Sequence, residues 1–400
     1  MVNYLDLEKK FGAQNYKPLP VVIAKGEGCW VWDTEGKKYL DMLASYSAVN
    51  QGHRHPKIIA AAMDQLGKIT VTSRAFVNDQ MGRFLKKSAE LAGYEQALPM
   101  NTGAEAVESA IKMARKWGEK VKGIAKDQCN IIVCSNNFHG RTISIVTFST
   151  EAQYREGFGP FTPGFRIAPF GNAQALEALI DENTCAILVE PIQGEGGVII
   201  PPQGYLKALR EIADRTNVLL MFDEIQVGLG RTGKMFCYEH ENAKPDVLIL
   251  AKALGGGVYP VSVVLADRAI MSVFSPGDHG STFGGNPLAA AIGIASLDVL
   301  IDEKLPERAE TLGDYFSEQL RKIPCPAVKE IRSKGLMIGV EIKPEFGNAR
   351  RFCEALMDRG ILCKETHITT IRFTPPLVIT KEELDWALER IAVVFKELCQ

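Results

Sequence analysis

Two reactive residue types stand at the ends of two short apolar runs. Val218–Phe222 runs into Asp223, and Val247–Ala251 runs into Lys252. Both runs are rich in β-branched or large residues and bounded by polar and Gly/Pro punctuation, as buried parallel strands are. Ligands of open α/β sheets bind outside the carboxyl ends of strands. A carboxylate and an amine are therefore expected side by side at the ligand edge. An amine at a strand end, followed by Gly255-Gly256-Gly257, suits covalent capture of an aldehyde cofactor. Pyridoxal phosphate needs such a pair: a lysine at its aldehyde carbon and an acid at its ring nitrogen. Asp223 would keep that nitrogen protonated. Lys252 would hold the cofactor and, once its amine is neutral, move protons. An ordinary strand-end ion pair, or two unrelated residues, accounts for the same pattern.

The chain around this pair is of ordinary globular type. Its 400 residues suffice for one large or two moderate domains. It is 46% hydrophobic and 24% charged, with a net charge of −2, so no nucleic-acid footprint is present. No apolar run approaches membrane-spanning length. The first twenty residues lack the apolar core of a signal peptide. Nine scattered cysteines, odd in number and without a CxxC pair, predict reduced thiols and a cytoplasmic setting. His53 and His55 have no further ligand-type residues at metal-site spacing, so capping or packing is expected of them and no metal is predicted.

Other segments present candidate binding groups. Residues 30–41 read as a hairpin, and helices are expected from Pro56, over 79–93 and from Thr102. Thr102, Gly103 and Ala104 open a helix, where free N–H groups make an anion site suited to a phosphate; a plain N-cap explains the same residues. Phe138 and His139 offer flat faces after the strand Ile131–Val133, and Arg141 offers a fork for a carboxylate. Cys185–Val189 is a strand leading into a Gly-rich loop that carries Glu190 and Glu195, although Glu195 also reads as an exposed loop charge. Ser281 and Thr282, before a helix that starts at Pro287, are further phosphate donors. From about residue 305, short strands (327–333, 336–342, 361–364 and 370–374) alternate with helices (307–322, 347–359 and 380–397). Arg372 lies in the last strand.

Six motifs occur in order along the chain: Thr102-Gly103-Ala104-Glu105-Ala106, Asn137-Phe138-His139-Gly140-Arg141, Glu190-Pro191-Ile192-Gln193-Gly194-Glu195, Phe222-Asp223-Glu224-Ile225-Gln226, Ala251-Lys252-Ala253-Leu254-Gly255 and Ser281-Thr282-Phe283-Gly284-Gly285-Asn286-Pro287. Together they strongly resemble the class III aminotransferases, which depend on pyridoxal phosphate, and the resemblance covers essentially the whole chain. Within the class, Gly12–Pro20 and Ser45–His53 are most similar to the ornithine-specific members, where Tyr16 and Tyr46 match positions used for ornithine. His139 departs from some ornithine enzymes, which carry Trp or another aromatic there.

The resemblance implies an α/β architecture of fold type I. A large domain (51–304) with a mainly parallel seven-stranded sheet would be joined by a smaller α+β C-terminal domain (305–400) and an N-terminal segment (1–50). It implies that Lys252 carries the cofactor and shuttles the proton, Asp223 pairs with the ring nitrogen, Gln226 bonds the ring hydroxyl and Phe138 stacks on the ring. Thr102, Gly103, Ala104 and Ser281 would bind the phosphate, joined by Thr282 of the partner subunit in a homodimer. Arg141 and Tyr16 would hold the α-carboxylate of L-ornithine. Arg372 would hold that of 2-oxoglutarate, with Glu195 masking it in the ornithine half-reaction and Tyr46 shaping the pocket. The reaction implied is ping-pong, linking arginine breakdown to proline and glutamate. Three other readings stay open: an aminotransferase for acetylornithine or 4-aminobutyrate, a mutase or decarboxylase on the same fold, and a non-catalytic phosphate binder. The last lacks GxxxxGK[ST] or a strand-anchored GxGxxG.

Overall fold

The computed structural model describes residues 2–399. Seven strands form one sheet in the order Gln96–Met100, Ser262–Ala266, Val247–Leu250, Leu219–Asp223, Thr184–Val189, Asn130–Cys134, Phe165–Ala168. Ser262–Ala266 runs antiparallel to both neighbours, and the other pairings are parallel. Every residue of Leu219–Asp223 and Val247–Leu250 is buried, which explains why these strands read as unbroken apolar runs rather than alternating ones.

Helices cover the sheet, and their ends follow from local chemistry. The helix Gly103–Trp117 begins in a capping box: Glu105 N donates to Thr102 Oγ1, and the Glu105 carboxylate accepts from Thr102 N. The helix Pro287–Asp302 starts with Pro and is capped by the Asn286 side chain, which accepts from Ala289 N. The helix expected from residue 79 starts at Met81, because Asn78 Oδ1 accepts from Gln80 N and Met81 N and holds the chain in a turn.

Two smaller sheets complete the molecule. The strands Ile23–Glu27, Trp30–Asp33 and Lys38–Asp41 form an antiparallel ribbon, and Leu40–Asp41 pairs in parallel with Ile361–Leu362. The N-terminal ribbon is thereby tied to the C-terminal region. The other sheet has the order Val328–Lys334, Met337–Ile342, Thr370–Phe373, Lys364–Thr366. The single strand expected over 361–364 is two strands, broken at Cys363, because the two sides serve different sheets.

The expectation of reduced thiols throughout is corrected: Cys325 and Cys399 form a disulfide across 74 residues, with Cα atoms 5.8 Å apart. The helix Lys381–Leu398 packs against Leu305–Lys322 and brings the two cysteines together, a proximity that spacing does not reveal. The other seven cysteines are free and buried. His53 pairs with Asp41 at 2.7 Å and His55 with Glu303 at 3.0 Å, so both pack as expected. Among the described residues no cluster could hold a metal ion, and no helix is long and apolar enough to cross a membrane.

Candidate active site

The motif residues gather because they follow the carboxyl ends of strands sharing one direction. Asn101–Gly103 follow Met100, Phe138 and His139 follow Cys134, Glu190–Glu195 follow Val189, Gln226 follows Asp223, and Lys252 follows Leu250. The register pairs Asp223 with Ile249, so Asp223 lies beside the strand that leads to Lys252.

Lys252 sits at φ +49°, an uncommon conformation for a non-glycine residue, which functional sites concentrate. No hydrogen bond or ion pair to its Nζ occurs among the described residues. Burial lowers its pKa, Glu195 opposes this, and Arg372 adds to the lowering. Asp223 is 4% exposed. Its Oδ1 accepts from Ile225 N at 3.0 Å, and its Oδ2 pairs with His139 Nδ1 at 2.7 Å. Burial opposes the charged imidazole, but the bond and charge of Asp223 raise the His139 pKa. His139 is thus a positioning partner of Asp223 rather than the free flat face expected of it. Its Nε2 is buried and unpaired.

At the helix start, the capping box satisfies Thr102 N and Glu105 N, while the Gly103 and Ala104 N–H groups have no acceptor among the described residues. A Cβ on Gly103 would lie 3.0 Å from Ile225 Cδ1, so glycine lets the helix start pack closely on Ile225. Ser281 Oγ accepts from Asn101 Nδ2 at 2.9 Å and Gly284 N at 3.0 Å, tying its loop to the same corner. Thr282 is exposed and bonds nothing in its own chain among the described residues.

Phe138 is half-buried and packs edge-on against Tyr154, with ring centres 6.1 Å apart. The Arg141 guanidinium lies 3.5 Å above the Tyr154 ring and 5.3 Å from that of Phe138. Tyr154 was not singled out from the sequence, because a lone tyrosine in a four-residue helix carries no spacing signal. Tyr16 is 77% exposed and lines a cavity of about 500 Å³ with Tyr46. No side-chain hydrogen bond joins Tyr16 to Arg141 among the described residues.

Arg372 is the most informative group. Its side chain is 1% exposed, and NH1 bonds Glu195 Oε1 at 2.6 Å and Gln226 Oε1 at 3.1 Å. Its Nε and NH2 are buried without a partner. Two unpaired donors on one guanidinium edge have the geometry to bond a planar carboxylate. Gln226 Nε2 also donates to Glu195 Oε1 at 3.0 Å, so its amide bridges the pair. Burial alone would raise the Glu195 carboxyl; Arg372 and Lys252 hold it down at about 2. Tyr46 covers the group, its ring centre 4.9 Å from the Arg372 guanidinium carbon. It is carried by four successive non-glycine residues, Ala44–Ser47, at φ +47°, +47°, +61° and +71°. Left-handed turns of L-residues are costly, so packing must enforce this placement of Tyr46.

Residues 11–395 match the family described as aminotransferase class-III. The chain is 60% identical to ornithine aminotransferase 2 of Staphylococcus aureus over 392 residues, covering 98% of each. The ornithine aminotransferase structure of Toxoplasma gondii ME49 superposes with a TM-score of 0.97 at 47% identity, over 98% of this chain and 94% of that one. The chain belongs to the class III aminotransferases. As a class III aminotransferase it has fold type I, and the family depends on pyridoxal phosphate. An acetylornithine aminotransferase of Elizabethkingia anophelis is equally 47% identical, with a TM-score of 0.90 and 98% of each chain covered. The class III framework therefore leaves the choice of amine to the pocket.

One acid of this class III site has a testable titration. Burial raises Glu190 from an ordinary 4.5 to about 8; His139 opposes this and Asp223 adds to it. The folded chain then keeps a proton that the unfolded chain loses. This group's contribution to stability is full below 4.5 and is lost as pH rises through about 8. Glu190→Gln, whose amide oxygen can still accept from Phe138 N, should show a shallower fall in melting temperature than the parent from about pH 6 to about pH 8.5. Parallel curves would refute the assignment.

Proposed function

We propose that this class III aminotransferase moves the δ-amino group of L-ornithine to 2-oxoglutarate, yielding L-glutamate 5-semialdehyde and L-glutamate in alternating half-reactions. The ion pair of Arg372 with Glu195 carries this reading. One pocket must accept a substrate with a distal amine and another with two carboxylates. A permanently free second arginine would favour the diacid in both halves. A guanidinium that is masked by a neighbouring carboxylate, and released when a diacid arrives, separates them. Arg141 is exposed and supports binding of the ornithine α-carboxylate. Tyr16 and Tyr46, which share a cavity wall, support the same orientation.

The residues fit pyridoxal phosphate. The free N–H groups of Gly103 and Ala104 at the helix start suit the phosphate. Thr102 and Ser281 frame that corner. The buried Asp223 suits the ring nitrogen, Phe138 a ring face, and the remaining Gln226 N–H the ring hydroxyl. Lys252 would hold the group. When bound, pyridoxal phosphate supplies an aldehyde that captures the amine and a ring that draws electron density from the adjacent carbon. Asp223, oriented by His139, keeps a proton at the ring nitrogen. Lys252 Nζ, whose pKa burial lowers, removes the proton at the ornithine δ-carbon and later delivers one to the α-carbon of the nascent glutamate.

The sheets support a division into an N-terminal segment (1–50), a large domain (51–304) and a C-terminal domain (305–400). The exposed Thr282, beside Phe283 at 49% exposure and with Phe76 and Val77 also exposed, supports a homodimer in which Thr282 of the partner subunit completes the phosphate site.

The test is a single-turnover comparison on the holoenzyme without oxo acid. L-ornithine should discharge the cofactor absorbance faster than N-acetylornithine or 4-aminobutyrate, and the preparation should sediment as a dimer. Faster discharge by either rival amine would transfer the substrate assignment to it, and a monomer would remove the role of Thr282.

A further inference from the structure

The loop that carries Glu195 is held from outside the large sheet. Its base is closed by the backbone bridge between Gln193 and Ile199. Beyond that, its carbonyls are taken by two side chains of the small sheet. Thr366 Oγ1 donates to Glu195 O at 2.5 Å. Arg332 Nε donates to Gly197 O at 3.2 Å and Val198 O at 3.1 Å, and its NH2 donates to Gly197 O at 2.7 Å. Arg332 is itself fixed by Glu341 at 2.8 Å and Thr370 at 3.2 Å. Thr369 and Thr370 donate to the Glu341 carboxylate. Burial alone would raise that carboxyl, but these bonds and Arg332 hold its pKa below the ordinary value, so it stays ionised opposite the guanidinium. The backbone within the loop is unusual: Gly197 lies at φ +114° and Val198 at φ +55°. A valine in that region is strained and persists only where neighbours over-determine it.

We infer that Thr366 and Arg332 are specificity-determining positioning residues: they clamp the backbone of the Glu195 loop so that the Glu195 carboxylate rests on Arg372. The inference builds on the masking of Arg372 proposed above and names what sets its strength. The masked state needs the Glu195 backbone at this place, because a side chain of fixed length must reach a buried guanidinium. The unmasked state has no such requirement. The clamp bonds therefore count toward the masked state and set the fraction of molecules with Arg372 free. A diacid binds only the free fraction, so its apparent Kd is its intrinsic value divided by that fraction. Thr366 and Arg332 bond the loop backbone, and their effect travels through Glu195.

The experiment uses glutarate, an unreactive five-carbon diacid, titrated calorimetrically into the holoenzyme. Thr366→Val keeps the shape and removes the donor, while Thr366→Ser restores it. Loss of one such bond weakens the masked state by about fivefold. The clamp predicts that glutarate binds about fivefold tighter to Thr366→Val than to the parent, and that Thr366→Ser returns to the parental affinity. Arg332→Met, a second route to the same loosening, should shift the affinity in the same direction. In steady state the KM for 2-oxoglutarate should fall in both loosened variants, with a smaller change in kcat. Glu195→Gln separates the two levels of the argument. If Glu195→Gln tightens glutarate binding while Thr366→Val and Arg332→Met leave it unchanged, the masking survives and the clamp is overturned. If Glu195→Gln itself has no effect, the masking fails and the clamp falls with it.

Discussion

Lys252→Ala should lower the rate of amine transfer by about 10³-fold or more while the protein remains folded. The lysine amine is the only group at this strand end with an unpaired basic nitrogen, and burial keeps its pKa low enough for a neutral fraction to act. Alanine retains the Cβ, so the strained φ of +49° is neither relieved nor worsened. With the amine gone, the neighbouring titratable groups are poor substitutes: Glu195 is held ionised near 2 by Arg372, Glu190 is protonated up to about 8, and the His139 imidazole is held to Asp223, which raises its pKa. A small primary amine added to the solution should restore part of the activity, because it supplies the missing proton acceptor to an otherwise intact site. Turnover within tenfold of the parent, or a loss that no added amine repairs in a folded protein, would remove Lys252 from its role.

Asp223→Asn should reduce kcat by about 10²- to 10³-fold, the usual effect of removing one pre-organised electrostatic partner of a reacting group. Asparagine keeps an oxygen for Ile225 N but no charge for His139, whose Nδ1 lies 2.7 Å from Asp223 Oδ2. The imidazole pKa should drop, since burial lowers it and the bond and charge of Asp223 that raise it would be gone, leaving only Glu190 to oppose the burial. The cost to stability should be about 1.5–3 kcal/mol, typical of a hydrogen bond to a charged group. Sign and window follow from the raised histidine pKa. The His139–Asp223 contribution is complete below the ordinary histidine value of 6.5 and fades as pH rises through the higher folded value. NMR titration of the His139 ring, alongside melting curves of parent and variant, checks both. An unchanged imidazole titration in Asp223→Asn would show that the pair is not coupled.

The motifs in this chain were legible because each follows a strand. A buried parallel strand must be a short apolar run, and a ligand edge must lie at its carboxyl end. The polar letters that interrupt each run, Asp223, Lys252 and the start of Glu190–Glu195, therefore mark the site without coordinates. The helix start at Thr102 was legible for the same local reason, since Thr is a preferred N-cap, while the reciprocal bond from Glu105 appeared only in the structure. Less visible was any relation between segments distant in sequence that depends on side-chain direction. His139 read as an aromatic face and proved to be the partner of Asp223. Tyr154 read as nothing and lies under Arg141. Cys325 and Cys399 read as two free thiols among nine.

The sequence by itself determined the family, through six motifs in order along the chain, and the buried strands that run into Asp223 and Lys252, because each of these is a local pattern of two to fifteen residues. Only the tertiary structure decided that Arg372 is buried with two unpaired nitrogens, that Glu195 covers its third, and that the small sheet grips the loop holding Glu195. Those facts arise where the sheet of Arg332, Thr366 and Arg372 meets the loop that follows Thr184–Val189. Burial strips an arginine of its water and makes each unpaired donor costly, and no spacing along a chain records how deeply a side chain will be buried.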